Sequence, residues 1–563
     1  TDPKKTAGRP IAYLQKHHFK GKIYPINPRV EEIAGLKCYP DITSLPETPD
    51  VAIIMVGTDK TLAAVKELAA IGTPAAIVLT SGFAEHGPEG LKKQEELIKA
   101  AGSMRILGPN TIGMVNITDD IPLSPSSALE MDEFPKGSVS VISQSGGILG
   151  SLLSRATACG LGLSKLVSTS NEADLGLADF VDYLVEDSST KVIVLYIESI
   201  RHPEKFRAAA LRAKQAGKPI LVYKVGRSEA GIQAAISHTG ALAGTDKMYD
   251  ALFKQTGIIR ANKFSDFLDI PAALSSGRVL KGKRVAILTS TGGAGTLVAD
   301  SLGEWGFDTP PPDEKTAERL RALQPGDQAV LDRNPIDVTL AGLQPDLLRG
   351  AIGALLDSPT YDALILILGS SSLAMPDLMA GAVRDCMKTS DKPVIAYVSP
   401  HAPIAGALMT KLGVAAFSQP ESCSVALGGM LHASQLTESK LSQSVKVSIP
   451  ATVKLDSLQG SLDEFAAKNL FSAFGIPSVR EVRINAKAPK LEAAIDLGEK
   501  LVLKILSKEI THKTEVGGVA LNVSVSDIAS KIGLMTEEVK TKTGLAIENF
   551  LVQEMVSGGM EFI

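Results

Sequence analysis

Cysteine is scarce in this chain and never closely spaced: Cys38, Cys159, Cys386 and Cys423 are its four, with no CxxC or CxH pairing. That excludes a disulfide scaffold and a structural zinc site, and it suits a reducing, cytoplasmic compartment. No apolar run approaches the roughly 18–20 residues that a membrane helix needs. The opening stretch Thr1–Gln15 lacks the apolar core of a signal peptide. An excess of positive charge is missing too. A formal net charge of −4 gives no electrostatic ground for nucleic acid or a membrane surface as partner. Local anion sites are not excluded by it, because a phosphate needs only a few aimed donors.

What is present is ordinary globular material, 44% hydrophobic and 21% charged, in 563 residues. That length suits roughly four domains of about 150 residues. Short Val-, Ile- and Leu-rich runs alternate with longer amphipathic stretches: GKIYPIN (21–27), DVAIIMV (50–56), AAIVLTSGF (75–83), MRILGPN (104–110), SVSVISQSGG (138–147), SKLVSTSN (164–171), KVIVLYIES (191–199) and PILVYKVGR (219–227). KRVAILTSTGGAG (283–295), ALILILGSSS (363–372) and PVIAYVSP (393–400) follow. Runs of this kind, closed by Gly, Ser, Asn or Pro, read as parallel strands buried on both faces, with a crossover helix after each. In open α/β sheets ligands bind beyond the carboxyl ends of the strands.

The pattern breaks at 117–137, 275–283 and 437–457. After the last break SLDEFAAKNLFSAFGIPSV reads as a short helix capped by Ser461 or Asp463. KLVLKILSKEITHKTEVGGVALNV then reads as strand, Gly loop, strand, closer to an antiparallel unit. The first module opens inside what reads as a helix and the last stops on a strand, so the expectation is a piece of a longer polypeptide.

Three strand ends run into Gly- or Ser-rich turns followed by helices: Ser145–Gly147, Gly369–Ser372 and the TSTGGAG turn from Thr289. Free first-turn N–H groups and the helix dipole make such turns ready anion sites, although tight α/β packing also selects Gly and Ser. His238 stands in AAISHTGALAG among residues too small to pack against it. One reading is a loop or capping histidine bonded locally. The other is a nucleophilic imidazole, for which Ser237, Thr239 and Gly240 give clearance to an incoming phosphorus. The second needs a carboxylate on the other ring nitrogen. Glu198, at a strand end that projects into the same crevice, is the candidate.

The segment SHTGALAGTDKMYDALFKQTGIIRA resembles the phosphohistidine segment of the NDP-forming acyl-CoA synthetases. KGKIYPINPRVEEIAGLKCYPDITSLP, ILGPNTIGMVN, VSVISQSGGILG and ITHKTEVGGVALNV stand in that family's order. The resemblance implies an α/β chain of four parts. These are a Rossmann-like CoA-binding domain over 1–125 lacking its first strand, a flavodoxin-like succinyl-CoA-ligase domain with the phosphohistidine loop over 130–275, a second such domain over 283–440, and the N-terminal part of an ATP-grasp domain (α+β) over 455–563.

It implies an ADP-forming acid–CoA ligase with CoA, ATP or ADP and Mg²⁺ as cofactors. The Mg²⁺ ligands are expected in a further lobe and none in this stretch. The partners are a small carboxylic acid and phosphate, and the assembly a homo-oligomer, a dimer. His238 would carry the phosphoryl group, with Glu198 orienting it and His512 as a second carrier. Ser145, Gly146 and Gly147, with Ser370, Ser371 and Ser372, would hold the phosphate. Asn27, Pro28, Arg29, Val56, Gly57, Ser81, Gly82 and Asn110 would surround CoA. Lys504, Lys513, Gln553, Glu554 and Glu561 would meet the nucleotide. Two alternatives share the scaffold: a CoA-binding regulatory or protein-acetyltransferase-associated module, and a citrate-processing relative.

Overall fold

The computed structural model describes residues 5–233, 246–323, 331–338, 344–370, 376–399, 401–438, 450, 453, 462–510 and 512–556. The chain forms two compact units, residues 1–440 and 441–563.

The first unit opens with helix α1 (Arg9–Lys16) and a small parallel sheet of β1 (Val51–Ile54), β2 (Ala75–Val78) and β3 (Arg105–Leu107). Helices α2 (Thr58–Ala70) and α3 (Pro88–Ala101) cross between these strands, and Ile54, Val65, Leu68, Val78, Leu97 and Ile106 form one core. The stretch Gly21–Asn27, expected as a strand, makes only an isolated bridge between Ile26 and Tyr39. Pro25 has no N–H to give a ladder, and the side chains of Lys22 and Tyr24 turn aside to Glu47.

A hairpin, β4 (Met114–Asn116) and β5 (Ile121–Leu123), follows. It joins the next sheet, whose order is β10-β9-β8-β6-β7-β4-β5. Here β6 is Lys136–Ser143, β7 Leu163–Ser168, β8 Val192–Ile197, β9 Ile220–Lys224 and β10 Ile259–Arg260. The five strands from β6 on are parallel, and β4 lies antiparallel on β7. The sequence at 117–137 reads as a break because the hairpin carries Asn116, Asp119, Asp120 and Pro122; its few buried apolar side chains are divided between two faces, Val115 and Ile117 in the core with Val141 of β6 and Leu123 in the core with Leu107 of β3. Helices α4 (Gly146–Ala158), α5 (Leu177–Glu186), α6 (Pro203–Gln215), α7 (Asp246–Thr256) and α8 (Asp266–Leu274) complete this layer.

The second flavodoxin-like sheet is fully parallel, in the order β12-β11-β13-β14-β15. Its strands are β11 (Val285–Thr289), β12 (Ile336–Asp337), β13 (Ala363–Leu368), β14 (Val394–Val398) and β15 (Ala415–Phe417). Its helices are α9 (Gly292–Glu304), α10 (Glu314–Leu323), α11 (Pro345–Asp357), α12 (Pro376–Met387), α13 (Pro403–Lys411) and α14 (Pro420–Glu438). All six side chains of β13 are buried, as a central parallel strand covered on both faces requires. Phe267 and Ile270 of α8 and Ala426 and Met430 of α14 belong to one core with Val141 of β6 and Ile287 of β11, so the two larger sheets share an interior.

The second unit contains α15 (Glu464–Ala473) and a mixed-order antiparallel sheet, β16-β19-β17-β18. The strands are β16 (Glu481–Asn485), β17 (Leu501–Leu506), β18 (Val519–Val523) and β19 (Asn549–Glu554), and α16 (Ile528–Thr543) packs on them through Ile532, Met535 and Val539. Asp463 is the cap of α15, its carboxylate accepting from the Ala466 N–H at 2.8 Å.

Candidate active site

The C-terminal ends of β6, β7, β8 and β9 lie side by side in the seven-stranded sheet. Chain leaves β6 through Gln144 and enters α4 at Ser145, whose side chain does not cap the helix. The Ser143 hydroxyl instead clips the turn from behind, donating to Ser145 O at 2.7 Å and accepting from Ser145 N–H at 3.1 Å. No acidic residue stands in the first turn of α4, and a Cβ at Gly147 would meet nothing within 4 Å. Backbone donors therefore face outward from a helix dipole with no acid in its own first turn, the arrangement that suits an anion.

Glu198, one residue past β8, is buried beside this turn: its N–H donates to Gln144 Oε1 at 2.6 Å. At the end of β9 the Lys224 ammonium is wholly buried, bonded to Val225 O and stacked over the Tyr249 ring at 4.6 Å. Burial pulls the pKa of Lys224 down, with Asp246 and Glu198 acting against that pull. His238 lies outside the described residues. The chain that follows it is anchored at α7, where Arg260 binds Asp246 at 2.6 Å and also Asp250.

The same clip recurs in the five-stranded sheet. Thr289, closing β11, donates its hydroxyl to Thr291 O and accepts from Thr291 N–H, both at 2.9 Å. Thr291 then opens α9 without a side-chain cap or a first-turn acid. Ser370 is exposed at the end of the adjacent β13, and the next described helix starts at Pro376; Ser371 and Ser372 lie outside the described residues. Gly369 ties the two strand ends together, since a Cβ there would stand 2.9 Å from Thr291 Oγ1. Among the described residues, the turn that shares the geometry of Ser145 is thus Thr291–Gly293.

In the three-stranded sheet, Val56, Gly57, Ser81, Gly82 and Asn110 gather at the strand ends. Thr58 donates to Ser81 O at 2.8 Å, Thr80 to Val56 O at 2.7 Å, and Asn110 N–H to Thr80 O at 2.9 Å. Gly82 has φ +101, and a Cβ there would stand 2.8 Å from Thr58 Oγ1, so glycine is strongly favoured. Asn27 closes its own turn by accepting the Arg29 N–H at 3.0 Å, with Pro28 and Arg29 exposed.

Within the second unit, Glu464 of α15 collects Lys468 and Lys504 on Oε1, each at 3.0 Å, and Lys513 on Oε2 at 2.7 Å. Gln553, buried on β19, donates to Glu464 at 3.0 Å and Glu481 at 2.7 Å. Burial opposes ionisation of Glu464, but the bonds from Lys513, Lys504, Gln553 and Lys468 outweigh it and hold its carboxyl well below the usual range. A cavity of about 340 Å³ opens beside them, with Phe471 and Ile476 on its apolar side. Glu554 faces Arg480 instead, at 2.7 Å. His512 is exposed, 3.9 Å from Glu515, and Glu561 lies outside the described residues.

Three family models match the chain: a CoA binding domain over residues 1–117, a succinyl-CoA ligase like flavodoxin domain over 136–274, and an ATP-grasp domain over 454–563. An ADP-forming acetate–CoA ligase of Methanocaldococcus jannaschii is 31% identical over 577 residues, covering 99% of this chain and 80% of that protein. The chain belongs to the ADP-forming acid–CoA ligases. A trans-feruloyl-CoA synthase from an unknown prokaryotic organism is also 31% identical, over 98% of this ligase and 79% of its own length. Among solved structures, the dinucleotide-forming acetyl-coenzyme A synthetase 1 of Ca. Korarchaeum cryptofilum, in complex with phosphate and ADP, superposes with a TM-score of 0.69. It is 32% identical and covers 78% of the ligase and 94% of that chain.

Two features of the ligase escaped the sequence reading. Gln144 and Glu172 are both buried at the strand ends; Gln144 stands inside the SQSGG turn but was not singled out there, and Glu172 belongs to no motif. The one sequence signal for Glu172 is its place in the polar turn STSNEAD after β7, where Ser170 and Glu172 both adopt positive φ (50 and 51). Such backbone in non-glycine residues persists only where surroundings impose it, and it clusters at functional sites.

Proposed function

We propose that the ligase interconverts acyl-CoA, phosphate and ADP with the free acid, CoA and ATP through an acyl phosphate and a phosphohistidine on His238. The observation that carries this reading is the open N-terminus of α4, at Ser145–Gly147, beside the buried Glu198 at the end of the neighbouring strand. A phosphate held by the first-turn N–H groups attacks the thioester carbonyl, and the thiolate of CoA leaves. The imidazole of His238 then attacks the phosphorus, and the carboxylate of the acid departs. Glu198 keeps the second ring nitrogen protonated, so that the attacking nitrogen carries the lone pair. Transfer of the phosphoryl group to ADP completes the cycle, with His512 as a second carrier.

The strand ends around Val56, Ser81 and Asn110, with the turn Asn27–Arg29, take CoA. The second open helix end, at Thr291 beside Ser370, adds donors to the phosphoryl group. Lys504 and Gln553, which line the second unit's cavity, and Lys513, held by Glu464 beside it, take the nucleotide. Among the described residues no group of three or more His, Cys, Asp or Glu side chains is placed to hold Mg²⁺. The acid is a short-chain carboxylate, acetate first, and the protein acts as a cytoplasmic dimer.

The test is an acid panel with CoA, ATP and Mg²⁺ on the full-length protein, scoring ADP against AMP, together with labelling from [γ-³²P]ATP. Acid-labile label, absent in His238→Ala, and ADP as product are expected. AMP as product, or normal turnover in His238→Ala, overturns the reading.

A further inference from the structure

Where β8 runs past Tyr196, the ladder to β6 gives out, and one side chain takes its place. Gln144 N–H still reaches Tyr196 O at 3.1 Å. Beyond it the Gln144 side-chain oxygen accepts two successive backbone N–H groups, Glu198 at 2.6 Å and Ser199 at 3.0 Å. The side-chain nitrogen donates to Ser199 O at 2.9 Å, and the Glu172 carboxyl faces it as a second acceptor. Oxygen against two donors and nitrogen against two acceptors leave the amide one orientation; turned over, it would oppose N–H to N–H. The group is buried, so every one of these bonds is made out of reach of water.

Glu172 is fixed in turn by the Thr169 hydroxyl at 2.8 Å and the Leu177 N–H at 3.2 Å. The residue before it, Asn171, donates to Glu85 at 2.5 Å and Gln94 at 3.1 Å, both in the CoA-facing module, and its oxygen meets Asn110 at 3.5 Å. One turn thus has adjacent side chains on two neighbours: Asn171 on the CoA side and Glu172 on Gln144.

We propose that Gln144 is a positioning residue for the phosphohistidine step, setting the Glu198 backbone and so the direction of the Glu198 carboxylate, with Glu172 bracing it from the CoA-facing turn. This rests on the reading of Glu198 as the carboxylate that orients His238. The bracing works only while the side chain at 144 both accepts and donates.

Two variants of the full-length ligase separate that requirement from size, Gln144→Met and Gln144→Glu, with Glu198→Gln and His238→Ala as references. Rapid-quench labelling from [γ-³²P]ATP is read beside KM for CoA and the melting temperature. In Gln144→Met the labelling rate is expected to fall about 10- to 100-fold, in line with other groups that orient a reacting one, with KM for CoA within twofold and melting retained. In Gln144→Glu the loss at pH 8 recovers as pH falls towards 6. A protonated carboxyl accepts from both N–H groups and gives its one proton to Ser199 O in place of the amide, and Glu172, Glu198, Lys224, Arg201 and Tyr196 are the ionisable groups around it. The unchanged protein shows no such recovery.

Unaltered labelling in both Gln144 variants, with Glu198→Gln impaired, overturns the proposal. So does loss of cooperative melting in both, or a loss in Gln144→Glu that is independent of pH. Full labelling in Glu198→Gln and His238→Ala instead brings down the reading on which it rests.

Discussion

Lys513 donates to Glu464 Oε2 at 2.7 Å while Lys504 occupies the other oxygen of the same carboxylate. Two lysines expected at nucleotide phosphates therefore share one acidic partner in the free protein. Glu464→Gln leaves three ammonium groups, of which Lys468 keeps Glu481 as a partner. The unit 441–563 is expected to lose about 1–3 kcal/mol, the range of a broken half-buried network. The rise in melting temperature on adding ADP is expected to be larger than in the unchanged protein, because phosphates then neutralise more uncompensated charge. Differential scanning fluorimetry with and without ADP measures both; an unchanged ADP shift rejects the assignment of these lysines.

Gly147→Ala separates folding from ligand approach. A Cβ there meets nothing within 4 Å, and φ is not positive, so the free protein tolerates the methyl group and its melting temperature stays the same or rises slightly. If phosphate approaches the first turn of α4, the methyl group obstructs it. Turnover and labelling are then expected to drop at least about tenfold, the loss typical of one oxyanion donor being larger still. Normal kinetics in this variant would place the phosphate elsewhere.

Asp269 on α8 sets a pH dependence of stability. Burial against α14 pushes its carboxyl up to about 6, with Asp266 adding to the effect and Ser422 opposing it. A carboxyl with a raised pKa in the folded state favours the protein while protonated. That contribution is complete below about pH 4, falls away as pH rises to 6, and is gone above it. Asp269→Asn is therefore expected to be more stable than the unchanged chain at pH 8, by about 2–3 kcal/mol, with the gap closing by pH 4. Urea melts at the two pH values decide it; a gap that widens in acid contradicts the assignment.

Lys165 is buried on β7, with its ammonium 2.9 Å from Asp187 and 2.6 Å from Ser189. Burial opposes ionisation of Asp187, but the bonds from Thr190, Lys165 and Ser189 prevail and hold its carboxyl at about 2. Lys165→Met strands that carboxylate, and a loss of about 3–5 kcal/mol is expected. The pair stands at the start of the sheet opposite the strand ends of the site. KM for CoA in the surviving folded protein is expected to stay unchanged, which steady-state kinetics at low temperature checks.

The parallel strands were legible because burial on both faces writes an unbroken apolar run, as in Ala363–Leu368 and Val192–Ile197. The hairpin Met114–Leu123 was not, because each of its strands is only three residues long, with Asn116 ending the first and Pro122, inside the second, reading as punctuation. Gly21–Asn27 erred the other way: its composition suits a strand, but it finds no ladder. Within the site, Ser145–Gly147 showed in the sequence since glycines at a strand end have a backbone meaning of their own. Gln144 showed nothing, because its role comes from β8 passing alongside some fifty residues later. The Thr291 turn was visible but indistinct from the serines at 370–372 until the hydroxyl clip at Thr289 matched that at Ser143.

The hairpin has one more consequence. By laying β4 against β7, it caps what would otherwise be an open sheet edge running from Lys165 to Val167. A protein cut at residue 130, where the sequence suggests a seam, would present that edge bare and pair with its own copies in solution. The smallest piece that stays monodisperse must carry its neighbour's last two strands. Shuffling these modules, in the laboratory or in a genome, has to splice ahead of Met114, so the inherited block is wider than the catalytic one.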